Sequence, residues 1–514
     1  MSAADPAPTE KRKNILFLMT DQQRWDHIGF HPESVLATPN LDRLAESVGF
    51  TDCQTPSPLC TPARCASLTG RYAHQVNMRT MSGELDPDYP TYPKALQAAG
   101  YHTACIGKTH WWQGWSWFDQ RPEAHYDTRG LQEELKRYGW DTVWECTDKR
   151  AIGLNPNDYT NYLNARGHGD DFRQFYASIS GSTFKIGDTV NEKTGVIPFP
   201  EEDMAEAVVT RKIFESIDAS RDSGKPFCIF GSWFGPHEPY DCPQRFLDQV
   251  PYEAVDDFVQ RPGDPPLSEE AKKQLWKCRQ GYKALVLMID EQVRLILEGL
   301  EKRGLLGDTV ILFTSDHGDL LGDHRHTQKG MPFKQSAAVP CAIRHPDHLN
   351  RIINHSPVEM TDLTATLLDA AGLDPQEALG EAWPSYRDAI PCRSLMPIIR
   401  GEADRVRDFA FSECDMKWHD AEGYQPYSWQ MIVDEDWKYI RYLDRKVSEP
   451  GQQRTEWLIH RPTDPTETRN VADEPDNATV LNRMRTRLDW INDTTPTAQT
   501  SWIPFKKRQA GTTA

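Results

Sequence analysis

The stretch SPLCTPARCASLTGRY, residues 57–72, joins a proline-containing approach to a segment of good helix formers. Pro58 and Pro62 favour an extended backbone that runs into a helix, because a proline in the first helical turn loses no hydrogen bond. From Ala63 onward the residues predict a helix, which places Cys60 at or near its N-terminus. Such an end favours negative charge on an attacking oxygen or on a bound anion. The residues alone also allow a second interpretation, in which Cys60 is a buried structural thiol.

A longer motif surrounds this cysteine. Cys60, Pro62 and Arg64 form the pattern Cys-x-Pro-x-Arg, and residues 68–71 continue it as Leu-Thr-Gly-Arg. The whole motif resembles the signature of the type I sulfatases of the alkaline phosphatase superfamily, in which the cysteine is oxidised after translation to formylglycine. The resemblance implies maturation by a formylglycine-generating enzyme and a hydrated aldehyde whose hydroxyl is the nucleophile. It also implies an α/β fold with a large, mostly parallel central sheet sandwiched by helices.

Length and charge limit the classes of function. At 514 residues, with 38% hydrophobic residues, the chain is long enough for one large α/β core and a smaller appendage. The net charge of −18 argues against nucleic acid or an anionic membrane surface as a partner. The 11 cysteines show no framework spacing, residues 1–14 are polar, and no long apolar run is present. These features predict a soluble cytoplasmic enzyme with reduced thiols.

Four segments predicted to be core strands each end in polar side chains that are able to carry chemistry, and the first of them, residues 15–19, is a continuous apolar run. Such runs are typical of strands buried on both faces of a sheet, and open α/β sheets bind ligands at the carboxyl ends of their strands. The polar residues that follow the segments at 15–19, 101–106, 226–234 and 309–314 are Asp21, Gln22, Lys108, His110, His237, Asp316 and His317. The carboxylates favour a hard cation such as Ca²⁺ or Mg²⁺, and a histidine ligand extends the choice to Mn²⁺ or Zn²⁺.

The same segments resemble the sulfatase motifs Gly-Lys-x-His, Pro-His-x-Pro and Ser-Asp-His-Gly. The resemblance implies one metal ion, calcium by preference, with the ligands Asp21, Cys60 in its modified form, Asp316 and His317. It implies that the catalytic side chains around Cys60 are Arg64, which orients it, and Lys108, His110, His237 and Lys329. In the implied mechanism a gem-diol hydroxyl attacks sulfur, and the cations stabilise the sulfuryl oxygens. His237 or Lys329 protonates the leaving alcohol, and His110 then removes a proton so that the hemiacetal collapses.

Two positions depart from the common sulfatase pattern. Many sulfatases have Asp-Asp where this chain has Asp21-Gln22, and Asn where it has His317. The combination is similar to choline sulfatases and to phosphonate monoester hydrolases of the same superfamily, and it makes Gln22 a candidate metal or substrate contact. A site with Gln22 in place of a carboxylate carries one negative charge fewer. We expect such a site to turn over singly charged esters in preference to phosphate monoesters.

The sequence patterns that indicate a substrate-binding lysine and a substrate pocket are less specific. Lys329 aligns with the family's substrate-binding lysine, although Lys334 is close in sequence and stands where an acidic pair usually follows. Trp111, Trp112 and Trp115 come directly after the Gly-Lys-x-His motif. These tryptophans either line a substrate pocket or form a lid packed on the body.

The chain divides into two units. Residues 12–400 are expected to form the catalytic domain, with an insertion at about 119–200 over the active-site face. Residues 401–495 contain alternating aromatic and polar side chains, which predicts a C-terminal α+β subdomain with an antiparallel sheet and a closing helix. The polar tail, residues 496–514, is either disordered or an arm between subunits, so a homo-oligomer is one of the options.

The expected activity is hydrolysis of small-molecule sulfate monoesters to an alcohol and inorganic sulfate, by an arylsulfatase-like enzyme. A phosphonate monoester or phosphodiester hydrolase on the same site is the alternative. A third interpretation is a catalytically silent, anion-binding relative in which Cys60 is never oxidised. The alcohol half of the substrate has no signal in the sequence.

Overall fold

The computed structural model describes residues 12–81, 83–113, 132–146, 157–179, 186, 190, 194–380, 390–416, 427–443 and 455–498. Within these residues the chain forms one large mixed sheet with helices on both faces and a separate four-stranded antiparallel sheet. The predicted α/β fold with a mostly parallel central sheet is therefore confirmed.

The described residues contain 17 strands and 14 α-helices. The strands are β1 Asn14–Asp21, β2 Val48–Gln54, β3 Gly83–Glu84, β4 His102–Lys108, β5 Trp112–Gln113, β6 Thr142–Cys146, β7 Thr194–Val196, β8 Phe227–Pro236, β9 Tyr240–Cys242, β10 Thr309–Ser315, β11 Ala338–Arg344, β12 Ile352–Asn354, β13 Val358–Glu359, β14 Ala410–Met416, β15 Tyr427–Val433, β16 Trp437–Tyr442 and β17 Glu456–His460. The helices are α1 Pro39–Asp42, α2 Cys60–Thr69, α3 Tyr92–Ala98, α4 Gln132–Lys136, α5 Asp158–Arg166, α6 Gly169–Ile179, α7 Ala205–Ser223, α8 Gln244–Leu247, α9 Glu269–Lys302, α10 Lys334–Ala337, α11 Asp362–Ala370, α12 Pro375–Gly380, α13 Met396–Ile399 and α14 Ala478–Thr494.

The central sheet has the strand order β12-β2-β11-β10-β1-β8-β4-β6, and β13 also pairs with β2. The neighbours β10, β1, β8, β4 and β6 all run parallel. β11 is antiparallel to both of its neighbours, β10 and β2. Because the carboxyl ends of parallel strands meet at one edge, this order brings the four predicted strand ends side by side.

Strand β1 shows why the apolar runs form the centre of the sheet. All eight of its residues are buried, as expected for a strand that helices cover on both faces. Ile15 and Phe17 pack in the core on one side of the sheet, whereas Leu16 and Leu18 pack in the core on the other. The second core also takes in buried apolar side chains of α9.

The segment at 119–200 differs from the predicted insertion. Its strand β6 pairs in parallel with β4 and forms the edge of the central sheet. Helix α5 packs against β6, and α6 packs against α5. The prediction was wrong for this strand, because β6 has five residues, Thr-Val-Trp-Glu-Cys, and carries too little periodicity to be recognised.

Trp111 also differs from the prediction that it lines a substrate pocket. The residue is 1% exposed, and its ring stacks on Trp140 with 5.7 Å between the ring centroids. It packs in the same core as Phe230, because a large flat ring fills the layer between the sheet and its covering helices. The side chain of Trp112 and the whole of Trp115 lie outside the described residues.

The C-terminal unit is a sheet of order β14-β15-β16-β17, antiparallel throughout. Helix α14 packs on one face through Leu481, Leu488 and Ile491. On the other face the indole of Trp429 donates a hydrogen bond of 2.9 Å to the carbonyl of Gly330. The predicted antiparallel sheet and closing helix are therefore present, and the sheet contacts a loop of the larger unit.

All 11 cysteines are buried and free. Among the described residues, no helix combines the length and the apolar character needed to span a membrane.

Candidate active site

The candidate site lies at the carboxyl edge of the central sheet, where four adjacent strands end. Asp21 is the last residue of β1, and Lys108 is the last residue of β4. His237 follows the end of β8 directly, and Asp316 follows the end of β10. Cys60 is the first residue of α2, so it lies at a helix N-terminus as predicted.

Cys60 is 1% exposed, and polar atoms surround its sulfur. The Sγ atom lies 3.1 Å from His317 Nε2, 3.0 Å from Lys329 Nζ and 3.9 Å from Asp21 Oδ1. Burial raises the pKa of Cys60 to about 12, although the neighbouring lysines oppose this effect. The thiol is therefore neutral at pH 7, and an unmodified cysteine here is a poor nucleophile.

Each of the two carboxylates that face the cysteine is paired with a buried cation. Asp21 accepts a hydrogen bond from Lys108 Nζ, and Asp316 accepts one of 2.8 Å from Arg64 Nε. Burial by itself raises the pKa of Asp21, but attraction to Lys108 and other nearby cations outweighs it and holds the pKa well below its usual value. Arg64 also donates to the carbonyl of Lys108 at 3.0 Å and to Ser232 Oγ at 2.8 Å. These contacts hold the Asp316 carboxylate and the end of β4 in place. That Arg64 orients residue 60 stays a prediction.

Four buried ligand atoms form a candidate metal centre. One ligand atom from each of Asp21, Cys60, Asp316 and His317 lies within 4.8 Å of the others. Burial lowers the pKa of His317 to about 3, so the imidazole is neutral, and its Nδ1 lies 2.9 Å from the carbonyl of Gly318. That hydrogen bond assigns the ring proton to Nδ1 and turns Nε2 towards the centre. Two carboxylates and one neutral imidazole suit a hard divalent cation, so the residues fit the predicted metal.

Lys329 and His237 form a second group beside the cysteine. Lys329 Nζ lies 2.9 Å from His237 Nε2 and 2.9 Å from Gln22 Oε1, in addition to its contact with Cys60. His237 Nδ1 lies 2.6 Å from the carbonyl of Glu238. This contact assigns the ring proton to Nδ1, so Nε2 accepts from the lysine. A cation and an imidazole are thus side by side at the cysteine.

The structure distinguishes Lys329 from the neighbouring Lys334. Lys334 Nζ pairs with Glu33 at 2.8 Å and lies 4.7 Å from the ring centroid of Trp25. Of the two lysines that the sequence placed near the site, Lys329 therefore contacts the cysteine.

Sequence reasoning missed two acids next to Gln22. Gln22 Nε2 donates to Glu238 Oε2 at 2.6 Å and to Asp319 Oδ2 at 2.7 Å. Burial raises the pKa of Asp319 to about 6, and the charge of Glu238 adds to the effect. Both acids lie in or directly after the motifs Pro-His-x-Pro and Ser-Asp-His-Gly. The motifs could have predicted that both acids lie near the site. They could not have predicted that both acids contact the amide of Gln22.

His110 is buried at the same edge, two residues beyond the end of β4. Its backbone φ is 58°, in the left-handed region. A residue other than glycine carries a conformational cost there, which the surrounding structure has to offset. The role of His110 in proton removal stays a prediction.

Comparison with known proteins identifies the class and then the family. The central sheet and its covering helices have the alkaline phosphatase-like fold that the solved structures similar to this chain share. The family model described as Sulfatase matches residues 13–373, which is most of the chain. The chain therefore belongs to the sulfatase family. A model described as N-sulphoglucosamine sulphohydrolase, C-terminal, matches residues 322–494.

Individual relatives cover nearly the whole chain. It is 28% identical over 487 residues to the choline-sulfatase of Rhizobium meliloti (strain 1021), which covers 91% of this chain and 84% of the relative. It is 27% identical over 426 residues to the arylsulfatase of Clostridium perfringens (strain 13 / Type A), covering 78% and 81%. The crystal structure of the phosphonate monoester hydrolase of Agrobacterium radiobacter has a TM-score of 0.71 at 22% identity and covers 94% of this chain and 96% of that one. At this identity the likeness shows a shared fold.

Proposed function

We propose that the protein hydrolyses sulfate monoesters to an alcohol and inorganic sulfate, with formylglycine at position 60 and one divalent metal ion. The observation that carries the proposal is the position of Cys60 at the start of α2, with Lys329, His317 and Asp21 around its sulfur. The sulfur marks the point from which the hydroxyls of hydrated formylglycine would project. Membership of the sulfatase family supports the reaction type.

The two groups that complete the site supply the nucleophile and an electrophile. Hydrated formylglycine offers a hydroxyl as nucleophile, and a divalent cation held by Asp21, residue 60, Asp316 and His317 offers Lewis-acid stabilisation of negative oxygen. We favour calcium because the family resemblance points to it and two of the four ligands are carboxylates. Magnesium, manganese and zinc are the alternatives.

The surrounding side chains bind the anion and move protons. Lys108 and Lys329 place positive charge against the sulfuryl oxygens. His237 presents Nε2 at 2.9 Å from Lys329 Nζ, so this pair delivers a proton to the leaving alcohol. His110 takes a proton from residue 60 when the free aldehyde is restored. Arg64 keeps its partner carboxylate aligned.

Hydrolysis of phosphonate monoesters or phosphodiesters is the second candidate function. These esters carry one negative charge, as sulfate monoesters do, so the same cations can bind them. The observation that favours this candidate is Gln22, a neutral side chain that contacts Lys329 at 2.9 Å where many sulfatases have a carboxylate.

The class of ester separates the two candidates. We expect kcat/KM to be highest for nitrophenyl sulfate, lower for a nitrophenyl phosphonate or phosphodiester, and lowest for nitrophenyl phosphate. The reason is that a second substrate charge must be desolvated in a buried site. All four esters are compared on one preparation. A phosphonate that exceeds the sulfate would assign the second candidate, and a phosphate monoester that is best would contradict both.

The chemical state of residue 60 is the most direct test of the proposal. Mass spectrometry of the peptide that contains it distinguishes an aldehyde or its hydrate from a thiol. We expect the aldehyde in every active preparation. An active enzyme with an unmodified thiol would overturn the proposed nucleophile, and a protein that is inactive and never oxidised would be the silent relative.

The two neighbouring lysines provide a matched pair of variants. We expect Lys329→Ala to lower kcat/KM for nitrophenyl sulfate by about 10²–10³-fold, because it removes a cation that faces the transferred group. Lys334→Ala removes an ion pair with Glu33 and a contact with the ring of Trp25, neither of which involves the cysteine, and should stay within about threefold of the wild type. Steady-state kinetics of both purified variants check this. Equal losses in the two variants would remove the assignment of Lys329 to the substrate.

A further inference from the structure

The amide of Gln22 stands between two buried acids and the catalytic lysine. Its Nε2 donates to Glu238 Oε2 at 2.6 Å and to Asp319 Oδ2 at 2.7 Å, while its Oε1 accepts from Lys329 Nζ at 2.9 Å. The hydroxyl of Tyr240 donates to the same oxygen of Asp319 at 2.9 Å. Gln22, Glu238 and Asp319 are each at most 1% exposed. Both acids are therefore fixed in place by neutral donors.

Glu238 reaches the substrate side of the site by two routes. Through Gln22 it is two hydrogen bonds away from Lys329, which contacts the sulfur of Cys60 at 3.0 Å. Its Oε2 also lies 3.3 Å from Nδ1 of His237, whose Nε2 is 2.9 Å from the same lysine. Lys329 and His237, the two side chains on this side of the site, thus have Glu238 as a common acidic neighbour.

The contact between Gln22 and Glu238 changes the argument about the net charge of the site. The amide takes the place of a carboxylate, yet the negative charge is displaced rather than removed, because Glu238 lies directly behind it. Because Glu238 is only 1% exposed, bulk water screens its charge weakly. The charge therefore acts over several ångströms. It offsets part of the positive charge of Lys329. A singly charged ester still meets net attraction, whereas the second charge of a dianion meets a fixed negative charge.

We propose that Glu238 is a specificity-determining residue that selects singly charged esters over doubly charged ones at the Lys329 side of the site. The inference rests on the proposed function. It adds a residue that acts on the substrate side through its contacts with Gln22 and His237. Its role differs from simple support of Gln22, because support would affect every substrate alike.

The test is the ratio of kcat/KM for nitrophenyl phosphate to that for nitrophenyl sulfate, measured at pH 8, where the phosphate is a dianion. Glu238→Gln removes the charge and keeps an acceptor for Gln22, and it should raise this ratio by about tenfold or more. Glu238→Asp keeps the charge and shifts the contact, and its ratio should stay within about threefold of the wild type. A ratio that is unchanged in Glu238→Gln would overturn the inference.

Two further measurements cover the cases in which Glu238→Gln fails to fold or the wild type is inactive. Glu238→Ser, which also removes the charge and leaves room for a water, replaces Glu238→Gln if that variant fails to fold by circular dichroism. If the wild type turns over neither ester, the proposed function fails, and the inference is then tested by calorimetric binding of the two esters. Binding is measured for the Cys60→Ala variant and for the double variant that also carries Glu238→Gln. We expect the ratio of the affinities for nitrophenyl phosphate and nitrophenyl sulfate to rise by the same factor of about ten. An unchanged binding ratio would again overturn it.

Discussion

Cys60→Ala should leave a folded protein that has lost turnover of sulfate esters. The alanine removes the proposed nucleophile, and loss of a nucleophile that acts with its partners as one unit costs about 10⁴-fold or more in kcat. The substitution removes only the small group beyond Cβ at the start of α2, so the melting temperature should stay within about 4 °C of the wild type. Initial rates on nitrophenyl sulfate, together with a thermal unfolding curve, measure both quantities.

Cys60→Ser tests how residue 60 is regenerated. A serine hydroxyl can attack sulfur but has no second hydroxyl to expel the sulfate, so we expect a covalent sulfate ester after one turnover. Intact-mass spectrometry detects the adduct, and the product time course should show a burst followed by a stop. Steady turnover by this variant without an adduct would contradict the aldehyde mechanism.

Cys65 supplies the matched control for both variants. It lies in the same helix, is also buried, and its sulfur contacts the carbonyl of Trp111 at 3.8 Å. Cys65→Ala should keep kcat/KM within about threefold of the wild type, because it removes a buried thiol and one weak hydrogen bond to the carbonyl of Trp111. Wild-type rates in Cys60→Ala, or a loss confined to Cys65→Ala, would overturn the assignment of the nucleophile.

The positions of the strand ends could be predicted from the sequence. A run such as residues 15–19 is apolar at every position, which is a strong signal for a strand buried on both faces. Polar residues that follow such runs must lie at the carboxyl edge if the strands are parallel, and the structure places Asp21, Lys108, His237 and Asp316 there. The argument depends only on local pattern and on strand direction.

Contacts between distant segments could not be predicted in this way. Gln22 and Glu238 are 216 residues apart, and no periodicity indicates that an amide and an acid from these segments meet. The core position of Trp111 depends on its stacking with Trp140, which stands in the segment expected to be an insertion. Strand β6 was missed because it is short. In each case long-range packing decided the outcome.

Removal of the divalent metal should abolish turnover and lower the stability of the folded protein. His317 Nε2 lies 3.7 Å from Asp21 Oδ1 and 3.6 Å from Asp316 Oδ1, so the two carboxylates converge on one point. Without a cation there, these acids would repel an anionic ester. We expect the loss after chelation to be about 10³-fold or more in kcat/KM. The melting temperature should also fall, because the metal binds the folded state in preference to the unfolded chain.

The metal content of the protein can be measured independently of its activity. Elemental analysis should find one divalent ion per chain, and re-addition of that ion alone should restore both the rate and the melting temperature. Asp316→Asn should lose the ion, since a neutral amide is a weaker ligand for a hard cation. Asp434→Asn is the control, because Asp434 is a buried acid that pairs with Arg487 in the C-terminal unit. Full activity in metal-free protein would mean that Lys108 and Lys329 stabilise the transferred group without a metal, and the candidate metal centre would then be a set of paired acids.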